Sequence, residues 1–236
     1  MGLISGAGAD ALGWGMNGRV VAPATADPYL TATCAAHRLF QRFGVGGEEA
    51  ARSETVQGLY REAYTHSATA FKPEAKEVLE ALLATGLPVT VVTNAHTDLV
   101  EKKLDQLAPK GRERLRVSGD ARKFLLDPPD VPDARFDAVP ETQVLQGVLR
   151  RPIYLRRGRY FQALKHVWDT TGTRPEQTLV AGDIYELDLA LPAALGAHVQ
   201  LVARDNVLPY ELRAMEALGP RGGVDPSLRA LLPRLG

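Results

Sequence analysis

The chain has 236 residues, which suits one large α/β domain or a core domain with a smaller insertion. Hydrophobic residues make up 45%, enough for a sizeable core, and 28 Lys and Arg balance 28 Asp and Glu, so no basic stripe points to nucleic acid. The single cysteine, Cys34, rules out an intrachain disulfide and makes the cytoplasm the expected compartment; no apolar run approaches the ~20 residues of a membrane span.

The first 27 residues are glycine-rich, with neither the basic start nor the apolar stretch of a signal peptide, and they predict a loose, irregular segment. From 28 to 70 the spacing is helical. Leu30, Cys34 and His37 recur at helical intervals, and after the break at Phe43 to Gly47 a second helix places Val56, Leu59, Tyr60 and Tyr64 on one face. Two helices joined by a glycine turn read as a hairpin of their own, with Cys34 as a small core residue rather than a nucleophile.

After Phe71-Lys72-Pro73, residues Glu74 to Thr85 predict an amphipathic helix with Ala75, Val78, Leu79, Leu82 and Leu83 as its stripe. "LPVTVVTN" is a β-branched run that predicts a buried strand, Thr97 to Leu107 a helix, and "LRVSG" a short strand. Phe124 to Asp137, rich in Pro and Asp, predicts an irregular insertion. "RPIYL" predicts a strand, 160 to 170 a helix, "QTLVAGD" a strand, 187 to 195 a helix stopped by Gly196, and "HVQLVA" a strand. The tail from Tyr210 predicts helix with a break at Gly219 to Gly223. Strands alternating with helices imply a doubly wound parallel sheet, whose ligand site lies beyond the carboxyl ends of the strands.

Two strand ends carry chemistry. Asp183 follows a strand through Gly182, and Asp188 lies five residues on at the start of the next helix. Two carboxylates so close repel unless a cation or donor sits between them, and a hard divalent cation such as Mg²⁺ suits that place. The plainer alternative is that Asp188 caps its helix and Asp183 ends a strand. Thr93-Asn94 offers a hydroxyl and an amide just before a helix N-terminus, a ready anion site or an ordinary cap. Lys123, after a strand, can meet the same crevice or lie in solvent, and Arg157 belongs to a second cationic cluster, "LRRGRY".

In this order "VTVVTN", a lysine after a later strand, "LVAGDIYELD" and "GAHVQLVAR" resemble the haloacid dehalogenase (HAD) superfamily over about residues 71 to 204. The resemblance implies a Rossmann-like core (71–236) with a small helical cap (28–70) behind the N-terminal segment (1–27). It implies a Mg²⁺-dependent hydrolase of phosphatase or dehalogenase type, acting on a small phosphorylated or halogenated metabolite. Thr93 and Asn94 would bind the transferred group. Lys123 would be the catalytic cation, with Arg157 as its rival at the substrate. Asp183 would serve catalysis and hold the metal with Asp188. The family's first motif, a strand ending in Asp-x-Asp that supplies the nucleophile, has no counterpart: Asp10 follows Gly and Ala, and Asp27 precedes a proline. The alternative reading is therefore an inactive family member, or a truncated chain, that binds a ligand or partner. Either way, turnover at a rate typical of the family is not expected.

Overall fold

A computed structural model describes residues 2–4, 13–16, 18–26, 28–66 and 69–235. Asp10 and Asp27, weighed above as candidate acids, lie outside the described residues, as does the side chain of Cys34.

The N-terminus is more ordered than its glycines suggest. Strands β1 (Gly2–Ile4), β2 (Gly13–Met16) and β3 (Arg19–Pro23) form an antiparallel sheet in that order. Gly13 is required there, because a Cβ would come within 2.2 Å of the Val20 side chain. Trp14 anchors the sheet: its Nε1 donates to the Ala26 carbonyl, and its ring joins Ala22, Ala26, Ile184 and Leu187 in a small apolar cluster. Tertiary burial of one aromatic outweighs the weak strand propensity of the glycines.

Helices α1 (Pro28–Arg42) and α2 (Glu49–His66) pack on each other as a hairpin. Val56 is buried, but Leu59, placed on the same face by its spacing, is exposed, as are Leu39 and Phe43. The spacing identified the helices but not which stripe is covered.

The remainder alternates strand and helix. Helix α3 (Ala75–Ala84) is followed by β4 (Val89–Val92), α4 (Thr97–Leu107) and β5 (Leu115–Ser118). Leu83 and Leu104 from the two helices meet Leu115 in one cluster. The 124–137 stretch is irregular until α5 (Ala134–Ala138), where Asp133 caps by accepting from the Arg135 amide. Strands β6 (Thr142–Gln143) and β7 (Ile153–Tyr154) pair antiparallel, so "RPIYL" builds a separate ribbon and not part of a parallel sheet.

Helix α6 (Gly158–Thr171) carries the main core. Tyr160, Phe161, Leu164 and Trp168 fall on one face and are buried, with the Phe161 ring 5.2 Å from Phe136 and 6.4 Å from Trp168. Each such side chain stabilises by about 2–3 kcal/mol, so Phe161→Ala alone removes a large part of the fold's margin. Strand β8 (Leu179–Gly182) leads into a π-helical turn (Tyr185–Leu189), which runs on as α7 (Ala190–Ala194). After β9 (His198–Val202) come α8 (Pro209–Glu216), β10 (Gly222–Asp225) and a 3-10 helix (Leu228–Leu235). Strand β10 falls where the sequence suggested only a break: "GGVD" has no strand signature, and pairing with β9 decides it.

The parallel strands form two pieces. One is β4–β5; the other has the order β10-β9-β8. Among the described residues β4 pairs only with β5, and β8 only with β9. The helix layers nonetheless bridge the two pieces. Helix α6 touches β4, and its apolar face shares one cluster with Val92, Val180 and Val199. The C-terminal 3-10 helix touches both α3 and β8. The strand layer is open where both helix layers continue. Accordingly β4 is only half-buried and Ala181 in β8 is exposed, whereas Val199 and Leu201 of the central β9 are fully buried. The expected buried "VTVV" strand is thus an edge, because nothing described pairs with its second side. The N-terminal sheet does not fill this opening; it packs on the π-helical turn.

Candidate functional site

Three segments bring the candidate residues together: the carboxyl end of β4, the loop after β5, and the turn after β8. Gly182 ends β8 without a side chain because a Cβ would sit 2.3 Å from Asp188 Cβ. That close approach lets Asp188 close the turn. Its Oδ2 accepts the Asp183 amide at 3.2 Å and the Ile184 amide at 3.0 Å, and its own amide donates to the Ile184 carbonyl. Asp188 thus folds the turn back on itself, while neither the π-helical turn nor α7 has a side-chain cap at its first residue. The other oxygen of Asp188 does something more: Oδ1 lies 2.8 Å from Lys123 Nζ.

Lys123 is buried, with its ammonium also 5.2 Å from the centre of the Tyr160 ring. Tyr160 in turn donates its hydroxyl to the Asp188 carbonyl at 2.6 Å, and burial pushes that phenol well above its ordinary range. The Lys123 loop is held under strain. Asp120 and Arg122 adopt left-handed backbone, φ 53° and 42°. Four contacts hold it there: the Asp120 amide to Ala95, the Ala121 amide to Thr93, the Lys123 amide to Asn94 Oδ1 at 2.7 Å, and a bond from Arg157 to the Lys123 carbonyl. Thr93 Oγ1 accepts the Ala95 amide. Asn94 and Thr93 thus lie at the base of the Lys123 loop and fix it.

Arg157 does not face the crevice. It is fully buried, and its guanidinium donates to three carbonyls, those of Tyr154, Lys123 and Val21. Burial lowers its pKa to about 10. As a substrate-binding cation it is corrected by this geometry: every nitrogen is committed to backbone, and no face is left for a ligand. Lys123 is the cation beside the aspartates.

Asp183 makes no ion pair among the described residues. The residue keeps an exposed surface, but partial burial of its carboxyl raises it to about 6, and the Asp188 charge adds to the rise, with Arg204 and Lys123 opposing it. Solvent screens these influences, so the free energy behind the shift is small.

Sequence reading missed a second buried network behind this site. Glu186 is fully buried and receives both terminal nitrogens of Arg151 and the Tyr210 hydroxyl. Glu211, also fully buried, accepts the Tyr185 amide at 3.0 Å and Arg204 at 2.8 Å. These groups hold the π-helical turn from behind. The only hint in sequence is an acid, Glu186, inside an apolar stretch whose neighbours are all buried.

The described residues do not complete a site for Mg²⁺. Asp183 offers one carboxylate, but Asp188 already bonds an ammonium and two amides, and no group of three His, Cys, Asp or Glu that could hold a metal occurs among the described residues. A cleft of about 380 Å³, lined by Met16, Arg19, Leu125, Leu126 and Asp127, lies between the N-terminal sheet and the segment after Lys123, away from Asp183. No helix among the described residues is long and apolar enough to cross a membrane.

No known family profile matches the sequence, and no curated protein matches it. Among solved structures, the fold is similar to a predicted phosphoglycolate phosphatase from Haemophilus somnus 129PT. The TM-score is 0.50 at 18% identity, over 86% of this chain and 80% of that one. A dehalogenase with an intermediate complex aligns at a TM-score of 0.46 and 14% identity, over 88% of this chain and 81% of that one. At such identity the first likeness speaks for a mixed α/β fold of that type.

Proposed function

We propose that the chain is a hydrolase scaffold of the haloacid dehalogenase type, built to hold a small phosphorylated or halogenated metabolite. In this reading residues 71–236 are the Rossmann-like, doubly wound core, the 28–70 hairpin is its cap, and residues 1–27 form an N-terminal segment. The observation that carries it is the convergence of Lys123, Asp188 and Asp183 with Thr93 and Asn94 at the carboxyl ends of β4 and β8. Support comes from the fold's likeness to a predicted phosphoglycolate phosphatase. Thr93 and Asn94 would hold the anionic group beside Lys123, and Asp183 would supply the one uncommitted carboxylate. Mg²⁺ at Asp183 would need further ligands from outside the described residues.

An aspartate nucleophile is not among the described residues, and without a covalent route the remaining charges bind and polarise. The test is an assay of the pure chain against p-nitrophenyl phosphate and a panel of sugar phosphates with Mg²⁺, alongside calorimetry with orthophosphate. Orthophosphate binding that Lys123→Met abolishes supports the anion site. Turnover is expected at no more than about 10³ to 10⁴ over water, the residue left when catalytic groups are lost. Fast turnover lost in Asp183→Asn means that an acid outside the described residues completes the enzyme. Phosphate binding without turnover assigns the inactive, ligand-binding alternative. Absence of both sinks the reading.

A further inference from the structure

Arg157 is unusual chemistry for a core. A guanidinium taken fully out of water needs a carboxylate or an equivalent set of acceptors. Arg157 has no carboxylate bonded to it. Its partners are three backbone carbonyls from separate stretches of chain: Tyr154 at 3.1 Å, Lys123 at 2.7 Å and Val21 at 2.8 Å. Val21 lies in β3, Tyr154 in β7 and Lys123 in the loop after β5. The rigid fork matches three diverging acceptors, which an ammonium on a flexible stem does not.

The partners are telling. Lys123 is the one cation bonded to Asp188, and its loop is strained at Asp120 and Arg122. Strained backbone persists only where its surroundings fix it. Val21 belongs to β3, which docks on the π-helical turn carrying Asp188. Just past that strand, the Thr25 carbonyl accepts Arg204 and Asn206 from the loop after β9, both at 3.4 Å.

We infer that Arg157 is a positioning residue: its fork locks the Lys123 carbonyl to β3, so the N-terminal sheet sets where the Lys123 ammonium sits. This rests on Lys123 being the anion-site cation in the proposed function, yet its test does not use turnover or phosphate.

The experiment measures acylation of Lys123 by acetic anhydride, followed by peptide mass spectrometry, on the full chain well below its melting temperature. The wild type should label slowly at Lys123, which is buried against Asp188. Arg157→Met should label there about tenfold faster, as expected when one loop opens locally, while Lys72, Lys76 and Lys102 keep their rates. Arg157→Lys keeps the charge without the fork and should fall between the two, which also covers the case in which Arg157→Met does not fold. The control is Leu83→Ala, which cavitates a separate cluster. It lowers the melting temperature and should leave Lys123 at the wild-type rate. Wild-type labelling in a folded Arg157 variant overturns the inference, and so does equal acceleration by Leu83→Ala. If Arg157-dependent labelling is found in a chain that binds no phosphate, the positioning role stands and the proposed function falls.

Discussion

Lys123 Nζ lies 2.8 Å from Asp188 Oδ1, and 11% and 12% of the two side chains remain exposed. A pair so buried contributes little over an apolar replacement, but breaking it strands a charge. Lys123→Met should therefore cost about 3–5 kcal/mol, which is about 10 °C or more in melting temperature for a chain of this size. Adding Asp188→Asn should recover part of that loss, since the amide oxygen can still accept the Asp183 and Ile184 amides. Thermal melts of the three variants decide it. A loss under about 1 kcal/mol in the single variant would show that the pair is not formed in solution.

Gly182 is the hinge of the same geometry. An alanine there would put its Cβ 2.3 Å from Asp188 Cβ and 2.7 Å from its carboxyl carbon. Gly182→Ala should cost about 2 kcal/mol by overpacking and displace Asp188 from Lys123. The expected signature is a lower melting temperature together with faster acylation of Lys123. A variant as stable as the wild type would mean that the turn relaxes freely.

The elements that could be read in sequence were those with a period of their own. The stripes of α3 and α6 and the β-branched runs of β4 and β9 declare themselves, and Gly182 followed by Asp183 and Asp188 marks the turn after β8. What could not be read depends on distant partners. The "GGVD" strand exists because β9 offers an edge, and the N-terminal sheet exists because Trp14 finds Ile184 and Leu187. Arg157 read as a rival cation for the substrate because the three carbonyls that bury it lie at positions 21, 123 and 154, which no spacing rule connects. Leu59 was assigned inward by helical spacing together with Val56, yet only Val56 is covered and Leu59 is 52% exposed.

Protonation of Asp183 gives stability a pH signature. Its carboxyl titrates near 6 in the fold against an ordinary value of 3.8, with burial the larger cause and Asp188 the next. The folded state then holds its proton more tightly than the unfolded chain, so stability falls as pH rises from about 4 to about 6 and is level above that. Asp183→Asn should remove this slope, melting higher than the wild type at pH 7.5 and no higher at pH 3.5. Exposure of Asp183 screens the effect to below about 1 kcal/mol, or about 2 °C. A variant that melts lower than the wild type at pH 7.5 would contradict it.

Magnesium gives an independent reading of the same acids. With Asp188 committed to Lys123, one carboxylate is left, and sparse oxygen sites bind in the millimolar range or weaker. Addition of about 1 mM Mg²⁺ should raise the melting temperature by about 1 °C at most, because a ligand at or below its dissociation constant adds no more than about 0.4 kcal/mol. A clear rise that disappears in Asp183→Asn would show that acids outside the described residues complete a metal site.

The open strand layer predicts behaviour of a different kind. Strands β4 and β8 each carry one edge without a described partner, and Ala181 is exposed on the second of them. Parallel strands with apolar, unpaired edges are templates for pairing with another chain. The pure protein should therefore self-associate at concentrations from micromolar upward, seen as a concentration-dependent mass in light scattering. The α1–α2 hairpin is the rival source, since Phe43 is 71% exposed. Two substitutions separate them. Ala181→Lys places a charge where an incoming strand would lie; it should hold the chain monomeric and, at an exposed position, move the melting temperature by about 2 °C at most. Phe43→Ser should leave the association as it was. The reverse pattern, with Phe43→Ser monomeric and Ala181→Lys still associating, would move the sticky surface from the strand edges to the hairpin.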